Sequence, residues 1–478
     1  MHLNINIKER IKVRLNKLGR LWNYFLEALS GSEKVYTSGK ISKALFMLAI
    51  PMVLEMIFES VFAVADIFFV SKLGDDAVAT VGITESVITI VYAIGFGLSM
   101  ATTALVARRI GESKPEEASK VSFQAIVTGV FASVFIAFAG IFYSKDLLAL
   151  MGANSTIVNE MSGYATIILG SNVIIMLLFI NNAIFRSAGD AALSMRVLIV
   201  ANCLNLVLDP LLIFGFGPIP AMGVEGAAIA TSMGRGMAVV YQFVMLGKGK
   251  GKIHLKWEHI QLKWVTIKQL ISLSVGGIGQ NIIATSSWIG LMRIMAEFGS
   301  AAIAGYTIAI RILIFILLPS WGLSNAAATL VGQNLGANQP DRAEKSVWAA
   351  GKINVVFLGL MGIVFYLFPR FFIELFTPDQ SIVSNGIQAL QVISMGFVFY
   401  GLGMVLLNAI NGAGDTRTPT LFNLISFWVI EIPLAYFLAI QLGWDQKGVF
   451  YSIIIAEMSL TLIALFWFKQ GKWKLMKV

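Results

Sequence analysis

Residues 97–118, GLSMATTALVARRIGESKPEEA, return at 322–343 as GLSNAAATLVGQNLGANQPDRA. The register has no gap, and the shift is 322 − 97 = 225 positions. Gly97-Leu98-Ser99 fall on Gly322-Leu323-Ser324, Leu105-Val106 on Leu330-Val331, Gly111 on Gly336 and Pro115 on Pro340. Upstream the same shift sets Leu73-Gly74 on Phe298-Gly299. Downstream it sets Ala188-Gly189-Asp190 on Ala413-Gly414-Asp415. An apolar chain that repeats over this length is built of two stacked halves, the arrangement in which transporters hold cargo between the halves.

Hydrophobic residues make up 57% of the chain and charged ones 13%, against roughly 45–50% and about 25% in soluble domains. This is the composition of an integral membrane protein. Runs of about 20 apolar residues are needed to cross the hydrocarbon. They fall near 44–70, 82–106, 122–143, 160–184, 195–215 and 224–246, and again near 269–296, 302–332, 350–370, 384–410, 420–441 and 448–469. The fold expected is all-α, with twelve transmembrane helices in two six-helix lobes. An even number per lobe gives both the same orientation, a parallel rather than an inverted repeat. The divisions are a basic amphipathic arm (1–43), a first lobe (44–246), a basic linker (247–268), a second lobe (269–470) and a tail (471–478).

Lysine and arginine crowd the arm from Lys8 to Lys43, the linker from Lys248 to Lys268, the turns at Arg108, Arg109 and Arg342, and the tail. The opposite loops offer little beyond Lys72, Lys145, Arg370 and Lys447. By the positive-inside rule both termini are cytoplasmic, so the net charge of +9 is a topology signal. Nucleic acid is excluded as a partner, because no soluble basic domain with stacking aromatics exists here. In the arm, Ile11, Leu15, Leu18, Trp22, Phe25 and Leu29 recur at helical spacing. An amphipathic helix on the inner leaflet and a basic tail that only sets topology both remain open readings.

Cys203, the only cysteine, lies in a span, and His2, His254 and His259 lie outside the spans. No disulfide or thiolate metal site is expected, and any proton relay within the membrane must use carboxylates. The first apolar run begins after about forty residues and is long enough to span, so no cleavable signal peptide is expected.

Ionised groups at the bilayer centre cost on the order of 2.5–3.5 kcal/mol on insertion scales, so those present usually face a cavity or a partner. Glu55, Glu59 and Asp66 fall on one narrow face of the first span. Such a stripe must line water or a polar pocket, and its mutual repulsion favours a bound proton or cation. Asn205 and Asp209, four residues apart in the fifth span, share a face. Pro210 follows and leaves the Leu206 carbonyl without its helical partner. Carboxylate, amide and carbonyl oxygens together suit a hard cation. The alternative is that Asp209 caps a helix break at Pro210. Arg293, Arg311, Glu431 and Glu457 are expected to pair with one another across the second lobe, and Glu85 to be interfacial.

Several stretches resemble the multidrug and toxic compound extrusion (MATE) family: VADIFFVSKLGDDAVATVG (64–82), ALVARRIGE (104–112) with TLVGQNLGA (329–337), NNAIFRSAGD (181–190), LNLVLDP (204–210), GVEGAAIAT (223–231) and NGAGDTRTP (411–419). The resemblance covers 44 to about 470, and the order of the motifs makes it specific. It implies a V-shaped pair of lobes that rock between inward-open and outward-open states. It also implies export of organic cations and other amphipathic drugs in exchange for H+ or Na+, with no cofactor. By the same motifs, Asp66, Asn205, Asp209 and Thr231 take the positions of the family's cation-coupling residues, where Na+ would be held. Tyr164 and Asn182 are looser matches, as network or substrate contacts. The NorM branch adds acids in its seventh and tenth helices. Here those spans read GGIGQNIIATSSWIGL and ISMGFVFYGLGMVLLNAI, without an acid. The chain thus resembles the branch with a first-lobe cation site. Glu55 and Glu59 lie outside the family pattern, as extra protonation sites or contacts for cationic drugs. A monomer among membrane lipids, in a prokaryotic cytoplasmic membrane, is expected.

A flippase for a lipid-linked oligosaccharide is the competing reading. It calls for a basic cavity that grips pyrophosphate, whereas the first span here is acidic. A membrane-embedded enzyme would need a nucleophile, base or metal set, and no HExxH or GxSxG occurs. A channel is disfavoured by the closed site that a repeat places between its lobes.

Overall fold

The structure is a computed structural model that describes residues 22–31, 35–249 and 251–478, without the side chains of Ala63 and Val64. Among the described residues twelve long helical elements follow one another: α1 (Ile41–Val70), α2 (Asp75–Gly111), α3 (Pro115–Leu150), α4 (Ser162–Gly170 with Asn172–Ala188), α5 (Ala191–Phe214), α6 (Gly223–Lys248), α7 (Trp264–Met295), α8 (Ser300–Gly336), α9 (Pro340–Leu367), α10 (Gln380–Ser394 with Phe397–Gly412), α11 (Arg417–Gln441) and α12 (Gln446–Lys469). All but α6 and α7 are long and apolar enough to cross a membrane, α4 and α10 as bent pairs. Each overlaps its expected span. Several run further: α2 and α8 have 37 residues each. Hydropathy sees only the part in hydrocarbon, while the backbone ladder continues into water until a residue turns the chain. Residues 22–30 of the arm are helical, and most of the stretch 7–29 on which both readings of the arm rest lies outside the described residues.

The repeat is carried by the turns. Gly74 and Gly299, Gly189 and Gly414, and Ser113 and Asn338 are pairs 225 apart, and all six have positive φ. The bends repeat as well, since α4 and α10 are each two helices meeting at 40° and 54°. On α3, Phe131, Phe135, Phe138 and Phe142 form a stripe, each more than half exposed, as befits a face turned to lipid.

The first helix of each lobe also packs on the other lobe. Leu45, Leu48 and Met52 of α1 share a core with Leu330, Val347, Leu406 and Leu460 of the second lobe. Leu270 of α7 joins the core of the first. A Cβ on Gly97 of α2 would lie 2.6 Å from the Ser274 carbonyl oxygen of α7, and one on Gly322 of α8 would lie 2.8 Å from that of Met52 in α1. The α2–α7 and α8–α1 contacts are thus the same contact made twice. At the end of the molecule that carries Tyr36 and the C-terminal tail the lobes meet backbone to backbone, because a Cβ on Gly111 would collide with the Gln333 carbonyl oxygen. Close approach of this kind is what small residues permit between membrane helices.

The linker lies on the first lobe. The His254 N–H donates to Ser119 Oγ at 3.1 Å and His259 Nε2 sits 2.8 Å from Glu116. Hydrogen bonds from Lys256 and His259 hold the Glu116 carboxyl below its usual range.

Candidate functional site

Asn205 organises the first-lobe site. Its Nδ2 donates to Asp209 Oδ1 and to Thr231 Oγ1, both at 3.2 Å, tying α5 to α6. Asn205 and Asp209 are 2% and 0% exposed. The helix Ala191–Phe214 runs through Pro210 without a break, so Asp209 does not serve as a cap there. Asp66 of α1 and Asp209 act on each other electrostatically, as do Asp66 and the buried Tyr164 of α4. Asp66 Oδ1, Asn205 Oδ1 and Asp209 Oδ2 are all buried without a hydrogen-bond partner. Three orphaned oxygens, two of them from carboxylates, are donors of the type that a proton or a hard monovalent cation takes.

The acidic stripe on α1 divides into separate environments. Glu55 accepts from Asn182 Nδ2 at 3.2 Å and faces Arg186 Nη1 at 3.5 Å. The network continues as Gln242 Nε2 donates to Asn182 Oδ1 at 2.7 Å. Asn182 is therefore placed with Glu55, about 16 Å along α1 from Asp66, and apart from the Asn205 cluster. Glu59 pairs with Arg235 of α6, Nη2 to Oε1 at 3.2 Å. The stripe is thus two arginine-paired glutamates and one aspartate. The mutual repulsion expected of the stripe is offset at Glu55 and Glu59, each of which has an arginine partner.

In the second lobe the expected pairing of arginines with glutamates does not form. Arg293 pairs with Glu297 at 3.5 Å on the surface, and the exposed Arg311 acts instead on Glu85 of the first lobe. Glu85 lies on α2, where it is exposed. Glu431 and Glu457 are 2% and 7% exposed; the Ser287 hydroxyl donates to Glu431, and Tyr400 acts on Glu457.

Between the lobes lies a cavity of about 520 Å3. Phe96 and Trp321, stacked at 5.0 Å across the lobes, share its wall with Phe179, Trp288 and several asparagines. Among the described residues its charged lining is Glu55, Arg186 and Glu457. Because Glu55 and Arg186 face each other, the cavity as a whole is apolar, polar-spotted and slightly acidic. Concave sites of this size and lining take small organic molecules.

The sequence profile of the MatE family matches residues 51–211 and 278–437, one segment in each lobe. The chain belongs to the MatE family. It is a membrane transporter, not an enzyme. It is 25% identical over 437 residues to the probable multidrug resistance protein NorM of Thermotoga maritima, covering 91% of this chain and 94% of that one. It is 25% identical over 405 residues to the FAD transporter of Shewanella oneidensis (83% and 88%), and 23% identical over 431 residues to the multidrug export protein MepA of Staphylococcus aureus (90% and 94%). The outward-facing structure of a multidrug resistance MATE family transporter of the MOP superfamily superposes with a TM-score of 0.86 at 24% identity, covering 92% of this chain and 98% of that one. A MOP superfamily transporter from Pyrococcus furiosus, described as having a binding pocket of reversed polarity, gives 0.85 at 23%, with coverage of 92% and 98%. These two likenesses establish the fold.

Arg235 and Arg186 carry charge into the site, and the motif reading did not assign them. The signal for Arg235 was present: it lies four residues after Thr231, on the same face of a span. An intramembrane arginine demands a partner as firmly as an intramembrane acid.

Proposed function

We propose that this MatE transporter exports amphipathic organic cations and related drugs from the cytoplasm, driven by H+ or Na+ entering through the first-lobe site. The observation that carries the reading is the trio of buried, unpartnered oxygens on Asp66, Asn205 and Asp209. The relatives named as multidrug proteins support the cargo. In this reading both termini are cytoplasmic in a prokaryotic inner membrane. The lobes (44–246 and 269–470) rock about the Gly111–Gly336 contact, and the protein works as a monomer. Ion binding at Asp66, Asp209, Asn205 and Thr231 shifts α1 against α5 and α6 and lowers cargo affinity. Cargo must weaken ion binding by the same free energy. Tyr164 holds the far side of Asp66, while Glu55 and Asn182 belong to the cargo wall.

A lipid-linked pyrophosphate cargo would require several free basic groups in the cavity. Arg186 is the basic lining residue among those described, and it faces Glu55. The test is reconstitution in liposomes loaded with ethidium, with a pH or a sodium gradient imposed. Efflux driven by one of the gradients is expected, and no efflux under either would overturn the reading.

A further inference from the structure

Arg235 is an intramembrane cation that the coupling scheme above does not use. It projects from α6 one turn beyond Thr231, so the two side chains share a face of that helix. Its side chain is 12% exposed. One nitrogen, Nη2, donates to Glu59, and the guanidinium lies 5.6 Å from the centre of the Phe62 ring. Tyr92 of α2 is among the groups that act on its charge. Its Nε is buried without a partner, and so are Glu59 Oε2 and Asp66 Oδ1. Glu59 and Asp66 are seven residues apart on one face of α1, about 10 Å along the axis, and the Arg235 charge acts on both.

We propose that Arg235 is a tethered cation that competes with the coupling ion for Asp66, moving from Glu59 to Asp66 when the ion leaves. The inference rests on the first-lobe site being the ion site. A bare carboxylate left at membrane depth is costly. The guanidinium, a five-donor fork with a free arm, is the group within reach that can replace the ion. Its return to Glu59 lets the next ion in. Because Thr231 is carried on the same helix, the exchange moves α6 against α1, which ties occupancy to helix position. The charged and titratable groups that face this exchange are Glu59 and Asp66 on α1, Glu85 and Tyr92 on α2, Tyr164 on α4, Asp209 on α5 and, across the lobes, Arg311. None of the others offers a second mobile cation to Asp66: Arg311 is exposed and acts on Glu85.

The test is an ion titration of the purified full chain followed by its carboxylate infrared bands, which report binding whether or not cargo is moved. Sodium chloride is titrated at fixed pH, and protons in sodium-free buffer. Five proteins are compared: wild type, R235Q, E59Q, E59Q/R235Q and D66N. Removing the competitor is expected to tighten ion binding about tenfold in R235Q. Releasing it from Glu59 is expected to weaken binding about tenfold in E59Q. The double variant should match R235Q, because Glu59 acts through an arginine that is gone. Unchanged or weaker binding in folded R235Q overturns the proposal, and so do effects that simply add in the double variant. D66N separates the two readings: loss of the titration there upholds the ion site, and a D66N titration like wild type removes the site and this proposal with it.

Discussion

Gly111 of α2 and Gly336 of α8 stand 225 residues apart in the repeat and meet where the lobes close, a Cβ on Gly336 falling 3.0 Å from the Gly111 Cα. Equivalent positions of a parallel repeat meet only on the axis that relates the lobes. This contact therefore lies on the axis that relates the lobes, the pivot of the rocking motion proposed above.

A side chain at the pivot should prise the lobes apart. In Gly111→Leu the Cβ alone would collide with the Gln333 backbone. Spin labels on Ser113 and Asn338, the paired turns just beyond, should then report a longer distance than in wild type, and efflux should fall at least tenfold. An unchanged distance with normal efflux would show that the contact is incidental.

Thr231→Val keeps the shape of the side chain and removes the hydroxyl that Asn205 reaches at 3.2 Å. Losing one oxygen from the site should weaken ion affinity about tenfold, or ~1.4 kcal/mol, while Thr231→Ser retains it. Ion titration of the two variants checks this.

Arg186→Leu should destabilise more than its partner change. It leaves Glu55, 2% exposed, without its counter-charge, a loss of about 3–5 kcal/mol for buried pairs broken on one side. Glu55→Gln in the same background should recover much of the loss. Thermal unfolding of the single and double variants gives the cycle, and additive losses would refute the pairing.

Glu457 is the acid of the cavity wall that lacks an arginine. Glu457→Gln should lower affinity for an organic cation about tenfold and leave neutral amphipaths unaffected. Equal effects on both cargo types would assign Glu457 to packing.

The fold was legible because the repeat and the apolar runs are properties of the chain itself. Gly74, Gly189 and their partners turn the chain in each lobe as the 225-residue register requires. The cluster of Asn205, Asp209 and Thr231 was legible through its motifs. The fate of Glu55 and Glu59 was not, since their arginines come from α4 and α6, more than 130 residues away in sequence, and helix periodicity carries no information across that gap. The motif of Asn182 fixes a helix face, but its partner Glu55 is chosen by how α4 packs on α1. The second-lobe acids show the limit of counting charges. Arg293 finds Glu297 one turn away, and Glu431 is left to the Ser287 hydroxyl.

The measurement that tests the central claim most directly is the affinity of purified protein for ethidium, with and without saturating coupling ion, in wild type and Asp66→Asn. Wild-type affinity should weaken about tenfold when the ion is present, and the variant should bind ethidium with an affinity that no longer depends on the ion. A variant as sensitive to the ion as wild type would contradict the account and place the coupling site outside the first lobe's carboxylates.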